Sequence, residues 1–209
     1  MSRGRFITLE GGEGAGKSTQ AKLLADRLRA KDIAVATTRE PGGSPGAEEI
    51  RKLLVKGEPG RWDALTETLL MFAARADHVT HTIQPALAGG VWVICVRFTD
   101  STYAYQGAGR GLPAETIGRI EEAVMGGFRP DLTLVLDLPA ETGLQRAHAR
   151  KGAETRFEKF DLAFHEKLRK AFHHIAKTHA DRCVVIPAQG SKSDVAALIW
   201  QMVVKRFNL

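Results

Sequence analysis

The run Gly11-Gly12-Glu13-Gly14-Ala15-Gly16-Lys17-Ser18 has the spacing G-x-x-x-x-G-K-[ST], and it constrains the fold more than any other part of the chain. It follows a short apolar run, RFITLE at 5–10, and precedes a segment of helical spacing, STQAKLLADRLRA at 18–30. Strand, glycine-rich turn and helix in that order make a phosphate cradle. The glycines let the backbone turn its N–H groups inward, the helix adds its positive N-terminal end, and the Lys17 ammonium reaches the β and γ oxygens of a nucleotide. Gly11, Gly12, Glu13, Gly14, Ala15, Gly16, Lys17, Ser18 and Thr19 are therefore the expected nucleotide-binding residues, with Ser18 as the Mg²⁺ ligand.

Four more apolar runs read as buried strands: IAVATT at 33–38, VWVICV at 91–96, LTLVLDL at 132–138 and CVVIP at 183–187. Helical spacing fills much of the sequence between them, notably at 67–88 and at 113–127, the latter opened by Pro113. Strands alternating with helices predict an α/β fold of the P-loop NTPase type, a five-stranded parallel sheet between two helical layers. At 209 residues the chain suits one domain rather than two. Loop signals concentrate at 39–47, 97–111 and 149–160. The first two follow a predicted strand, and loops at the carboxyl ends of strands build the ligand site of an open parallel sheet.

A phosphate cradle alone does not separate kinases from GTPases or other ATPases. The chain has neither the Asn-Lys-x-Asp that reads guanine nor an Asp-x-x-Gly after a central strand. Cys95 and Cys183 each lie inside an apolar run, which predicts buried thiols in a reducing compartment rather than a disulfide. The N-terminal segment lacks the apolar stretch of a signal peptide, and no run reaches the length of a membrane span. A net charge of +6 suits nucleic acid, acidic membranes or polyphosphate ligands alike. Of the seven histidines, 148, 165, 173, 174 and 179 form no metal-ligating set and are expected on helical faces.

Taken together, ITLEGGEGAGKSTQ, TREPGGS, the AAR at 73–75, RFTDSTYAYQGAGRG and TRFEKF resemble bacterial thymidylate kinases along most of the chain. The resemblance implies a cytoplasmic, ATP-dependent nucleoside monophosphate kinase that moves the γ-phosphoryl group to dTMP with Mg²⁺. It also implies a homodimer with no nucleic-acid or membrane partner, and a lid near 141–160. Glu13 then accepts from the sugar 3′-hydroxyl. Arg51 and Arg97 clamp the acceptor phosphate, as planar guanidinium forks do well. Arg75 bonds a thymine carbonyl, and Thr102, Tyr105 and Gln106 read the base and crowd the sugar 2′ position. Glu40 and Pro41, in the loop after the second strand, complete the acceptor side. The family stacks phenylalanine on thymine one turn before the arginine; here Met71 holds that position, with Phe72 beside it.

Two departures matter. Gly14 leaves the phosphate loop without an arginine, so the catalytic cation beyond Lys17 and Arg97 falls to the lid, at Arg146, Arg150 or Arg156, with Glu158 as a lid support or holder of metal-bound water. At the end of the third strand the family has aspartate before the arginine, whereas this chain reads Val96 and then Arg97. Either Glu10, Glu40 or Glu158 supplies the missing charge, or the chain binds both nucleotides and transfers slowly. A kinase of UMP or dUMP is the other alternative.

Overall fold

The computed structural model describes residues 3–149 and 156–209. Five strands form one parallel sheet: β1 (Phe6–Glu10), β2 (Val35–Arg39), β3 (Trp92–Val96), β4 (Leu132–Asp137) and β5 (Cys183–Pro187). Among the described residues the helices are α1 (Lys17–Arg29), α2 (Pro45–Val55), α3 (Ala64–His78), α4 (Gln84–Ala88), α5 (Thr99–Thr102), α6 (Ala114–Met125), α7 (Ala140–His148), α8 (Leu162–Thr178) and α9 (Lys192–Phe207). The spatial strand order is β2-β3-β1-β4-β5. The chain thus places β2 at one edge, returns with β3 beside β1 and then crosses to the other side for β4 and β5, and the switch falls at the carboxyl end of β1, where Gly11–Ser18 begins.

Alternation along the strands fills two layers. Ile7 and Leu9 of β1, Ile94 of β3, and Leu132, Leu134 and Leu136 of β4 pack with Leu24 and Leu28 of α1 and with Val195, Ile199 and Val203 of α9. The intervening Phe6, Val93 and Cys95 point the opposite way, against Phe72 of α3, Ile83, Leu87 of α4 and Ile117 of α6. Each such fully buried Leu, Ile or Phe contributes about 1.5–3 kcal/mol of transfer free energy, so both faces of the sheet are fixed at once. Cys95 and Cys183 are free, buried and on strands, as expected from their apolar runs.

The helix predicted over 67–88 begins earlier, at Ala64, because the Asp63 carboxylate caps it by accepting from the Thr66 N–H at 2.9 Å. It also widens into a π-helical turn over Val79–Ile83, where the Gln84 N–H reaches the Val79 carbonyl. Pro85 is the cause: it has no N–H to donate to the turn before it, and its ring would crowd the carbonyl there. The segment 97–111, read as a loop, is largely helical, with α5 continuing into a π-helical stretch at Tyr103–Gly109. Its leading amides are capped from another element. Glu10, at the end of β1, accepts from the N–H groups of Phe98 at 2.7 Å and Ser101 at 3.3 Å and from the Ser101 hydroxyl at 2.6 Å.

Candidate active site

The carboxyl ends of β1, β2 and β3 open into a cleft of about 470 Å³. Its floor is the glycine-rich loop. Helix α1 starts after Gly16, which has φ 91°, and carries neither a side-chain cap nor an acidic residue in its first turn. Its leading N–H groups and positive end are thus open to an anion. Lys17 Nζ donates to the carbonyls of Gly11 at 3.0 Å and Gly12 at 2.6 Å, which lays the ammonium across the loop. Behind the loop, α7 comes very close: a β-carbon on Gly14 would lie 1.9 Å from the Gly143 carbonyl oxygen, and one on Gly143 would lie 2.3 Å from that of Glu13.

Arg97 stands over this floor. Its backbone is left-handed, φ 69°, a conformation that costs a non-glycine residue about 1–3 kcal/mol and is characteristic of functional sites. Its N–H still donates to the Leu9 carbonyl at 2.9 Å, continuing the β1–β3 ladder one residue past the strand. Nη2 donates to Glu13 Oε1 and to the Tyr105 hydroxyl, both at 2.8 Å, and the Tyr105 hydroxyl donates to the same Glu13 oxygen at 2.8 Å. Nη1 donates to Ser101 Oγ at 3.2 Å and to the Gly11 carbonyl at 3.3 Å. Burial opposes ionisation of Glu13, but the Arg97 and Lys17 cations and the Tyr105 hydroxyl outweigh it and hold its pKa at about 2. Glu10 goes the other way: burial, reinforced by the Asp100 carboxylate, raises it to about 7 despite the groups that donate to it.

The facing wall comes from α3 and the loop after β2. Arg75 is 2% exposed. Its Nε donates to Glu40 Oε2 at 2.7 Å, while Nη2 donates to the Phe98 carbonyl and Thr102 Oγ1, each at 3.2 Å. Phe72 and Phe98 lie against the guanidinium, with ring centroids 4.6 and 5.3 Å from its carbon. The Nη1 group is buried and has no hydrogen-bond partner among the described residues. Arg51 donates to the Pro41 carbonyl at 2.5 Å, and Gln106 donates to Glu67 at 2.7 Å.

Of the residues expected in the site, Glu13, Gly14, Ala15, Gly16, Lys17, Ser18, Glu40, Pro41, Arg51, Met71, Arg75, Arg97, Thr102, Tyr105 and Gln106 all line this one cleft. Gly11 and Gly12 lie behind it, supplying the carbonyls that hold Lys17, and Thr19 is exposed one residue further along α1. Phe72 is a correction. Successive helical residues point about 100° apart, so Met71 faces the cleft while Phe72 turns into the core and supports Arg75 from behind.

Arg156 is the larger correction. It was expected as a lid cation, but it is 1% exposed and spends its guanidinium on the protein: Nε on the Glu58 carbonyl at 3.0 Å, Nη1 on that of Leu54 at 3.0 Å and Nη2 on that of Pro59 at 2.9 Å. The buried Glu67 carboxylate sits 2.5 Å from Nη1. With all three guanidinium nitrogens engaged by the protein and no place in the lining of the cleft, Arg156 is not presented to a transferring phosphoryl group. Arg150 lies outside the described residues, and Arg146 is exposed on α7. The cleft also includes Arg39, Val55, Phe98, Ser101 and Phe157, which the sequence reading missed. Ser101 and Phe98 carried a usable signal, since both lie in RFTDST beside Arg97.

No group of three or more His, Cys, Asp or Glu side chains able to hold a metal occurs among the described residues. A single serine hydroxyl in the first turn of α1, lining the cleft beside Lys17, fits the other mode of binding, in which Mg²⁺ takes one protein oxygen and completes its shell with phosphates and water. Val96 lines the same region, paired between Leu9 and Arg39. Of the acids in the lining, Glu13 is committed to Arg97 and Glu40 to Arg75, with Glu158 the third.

A phosphate cradle facing a second, arginine-lined wall across one cleft defines an ATP-dependent kinase of the nucleoside monophosphate type. The thymidylate kinase family model matches residues 9–199, and the chain belongs to that family. It is 58% identical over 209 residues to a thymidylate kinase of Caulobacter vibrioides, covering 100% of both chains. It is 52% identical over 206 residues to one from Bradyrhizobium sp. strain ORS 278, covering 98% of this chain and 91% of the relative. Among solved structures, the thymidylate kinase of Ehrlichia chaffeensis superposes with a TM-score of 0.77 at 33% identity, covering 96% of this chain and 99% of that one. No described helix is long and apolar enough to cross a membrane.

Proposed function

We propose that this chain transfers the γ-phosphoryl group of ATP to dTMP, giving ADP and dTDP, with Mg²⁺ held at Ser18. An oxygen of the acceptor phosphate attacks the γ phosphorus, and the bond to the β–γ bridging oxygen breaks as ADP leaves. The observation that carries the acceptor assignment is the partnerless Arg75 Nη1, a buried N–H donor in the wall opposite the cradle. A buried donor left unpaired costs about 1–3 kcal/mol, which a base carbonyl would recover.

Each residue then has a task. Lys17 and the open amides of the loop hold the donor phosphates, and Ser18 would hold Mg²⁺, whose charge would offset that of the phosphates. Arg97 and Arg51 hold the acceptor phosphate in line. Glu13 Oε1 is taken by Arg97 and Tyr105, so Oε2 accepts from the sugar 3′-hydroxyl. Tyr105 and Gln106 close the space beside the sugar 2′ carbon, and Met71 packs on the base. The lid over 141–160 supplies its cation from Arg150 or Arg146, and Glu158 would support the lid or hold a water beside the metal site. Rate enhancement comes from positioning and charge neutralisation.

Leu65 and Leu69, one turn apart on α3, are 44% and 51% exposed, and Leu53 of the neighbouring α2 is 40% exposed. This apolar face supports a homodimer, and the buried free thiols suit the cytoplasm. A coupled assay of ADP release with dTMP, dUMP, UMP and dCMP as acceptors tests the reading. Turnover should be greatest with dTMP, and equal rates across the panel would refute it.

A further inference from the structure

Behind Arg75 lies a polar chain that reaches no ligand. Arg75 and His78 are three residues apart on α3, so both side chains fall on one face of the helix, and Glu40, the first residue after β2, sits between them. The Glu40 carboxylate gives one oxygen to each, Oε2 to Arg75 Nε at 2.7 Å and Oε1 to His78 Nδ1 at 3.1 Å. The far ring nitrogen, Nε2, is 2.7 Å from the Thr38 hydroxyl. His78 is fully buried, and Arg75 and Glu40 nearly so. A carboxylate oxygen only accepts, so the hydrogen between His78 and Glu40 lies on Nδ1, and the Thr38 hydroxyl pairs with Nε2.

The packing around this chain is close. The loop after β2 runs directly over the His78–Thr38 contact: a β-carbon on Gly43, which has φ 93°, would lie 2.3 Å from His78 Nε2 and 2.5 Å from Thr38 Oγ1. The same loop is tied to the next residues of the helix. Asp77 accepts from the Ser44 hydroxyl at 2.5 Å and the Ala47 N–H at 3.0 Å, and Thr82 donates to the Gly43 carbonyl at 2.8 Å. Neither Thr38 nor His78 lines the cleft.

We propose that His78, oriented by Thr38, is a positioning residue for base selection: it fixes the Glu40 carboxylate, which in turn fixes the direction of the partnerless Nη1 of Arg75. Glu40 held at both oxygens cannot rotate, and Arg75 held at Nε and Nη2 presents Nη1 in one place. A donor fixed in that way accepts a 4-oxo pyrimidine and rejects a 4-amino one, which would bring a second donor against it. Discrimination built on a buried hydrogen-bonding group is strong because the wrong partner leaves that group unpaired. If Glu40 is free to turn, Arg75 tolerates both. The inference rests on the assignment of the acceptor base to Arg75.

The experiment compares kcat/KM for dTMP and dCMP, and KM for ATP, in the full-length wild type, His78→Phe, His78→Asn and Thr38→Val. Phenylalanine keeps the ring and removes both nitrogens, whereas asparagine returns an N–H near the place of Nδ1. The dTMP-to-dCMP ratio should fall at least about tenfold in His78→Phe, recover in part in His78→Asn, and leave KM for ATP within about twofold, since small misplacements of positioning groups carry effects up to about 10²-fold. An unchanged ratio in folded His78→Phe overturns the proposal, as does a parallel rise in the dTMP and ATP KM values, which marks general damage. Should His78→Phe not fold, Thr38→Val decides: a ratio about threefold lower supports the proposal and an unchanged one overturns it. A wild type that takes dTMP and dCMP equally overturns the assignment of the base to Arg75, and the proposal with it. A discriminating wild type with an equally discriminating His78→Phe overturns the proposal alone.

Discussion

Two arginine–glutamate pairs lie near one another in this molecule and have opposite characters. Arg97 with Glu13 is 16% exposed on both sides and lines the cleft, and Arg97 donates also to the Tyr105 and Ser101 hydroxyls. Arg156 with Glu67 is sealed, both side chains at 0% exposure, with three main-chain carbonyls completing the guanidinium. Charge alone does not mark an arginine as functional. What matters is whether its donors are used up by fixed main-chain acceptors or held by side chains that a ligand phosphate can outcompete.

The sharpest way to break this comparison is Arg156→Ala. Removing one partner of a buried pair leaves Glu67 with less compensation and three carbonyls unpaired, so stability should fall by about 3–5 kcal/mol, read from urea unfolding, while kcat measured well below the transition changes less than about threefold. A large loss of kcat at unchanged stability would return Arg156 to the catalytic set. Arg97→Ala should do the reverse. We expect kcat/KM for dTMP to drop about 10²-fold with KM for ATP nearly constant, and a smaller change in stability. If dTMP kinetics are unaltered, Arg97 is not at the acceptor phosphate.

Val96→Asp probes the same wall from the strand below. A carboxylate placed there, beside Arg97, should raise kcat at least about tenfold with little change in nucleotide affinity. Equal or slower turnover at saturating Mg·ATP and dTMP would mean that Glu158 or another acid already supplies the charge. The smallest effect is in the pH dependence of stability. Glu10 has a folded pKa of about 7 against an ordinary 4.5, so between those values the folded chain keeps a proton that the unfolded chain has released. Its contribution therefore declines as pH rises through that window and is flat above it. Glu13, lowered to about 2, contributes fully above 4.5 and loses that contribution as pH falls toward 2. Melting temperatures from pH 5 to 8 should thus decline less in Glu10→Gln than in the wild type; parallel curves would remove Glu10 from the account.

Much of the fold was legible because it depends on local pattern. The five apolar runs became the five strands within two residues, since a strand buried on both faces has little choice of register or length. The phosphate loop was legible for the same reason: its chemistry is in its own backbone. The sequence hid whatever is completed from a distance. The 97–111 segment read as a loop because its amides are capped by Glu10, some 88 positions earlier in the chain. Arg156 read as a lid cation because Glu67 and the carbonyls of 54, 58 and 59 meet it only in three dimensions. Phe72 and Met71 differ by one helical step, which the family spacing indicated but the apolar pattern did not.

The contact between Gly14 and Gly143 carries a consequence for how this enzyme could change over time. A β-carbon on Gly14 would meet the Gly143 backbone and one on Gly143 would meet the Glu13 backbone, so neither position admits any other L-residue while α7 keeps its place. An arginine in the phosphate loop at residue 14 would need α7 displaced first, yet α7 leads into the very lid from which the catalytic cation is expected in its absence. No single substitution therefore places an arginine at residue 14 on this backbone. A lineage holding this pair of glycines is closed to a phosphate-loop arginine for as long as α7 keeps its place.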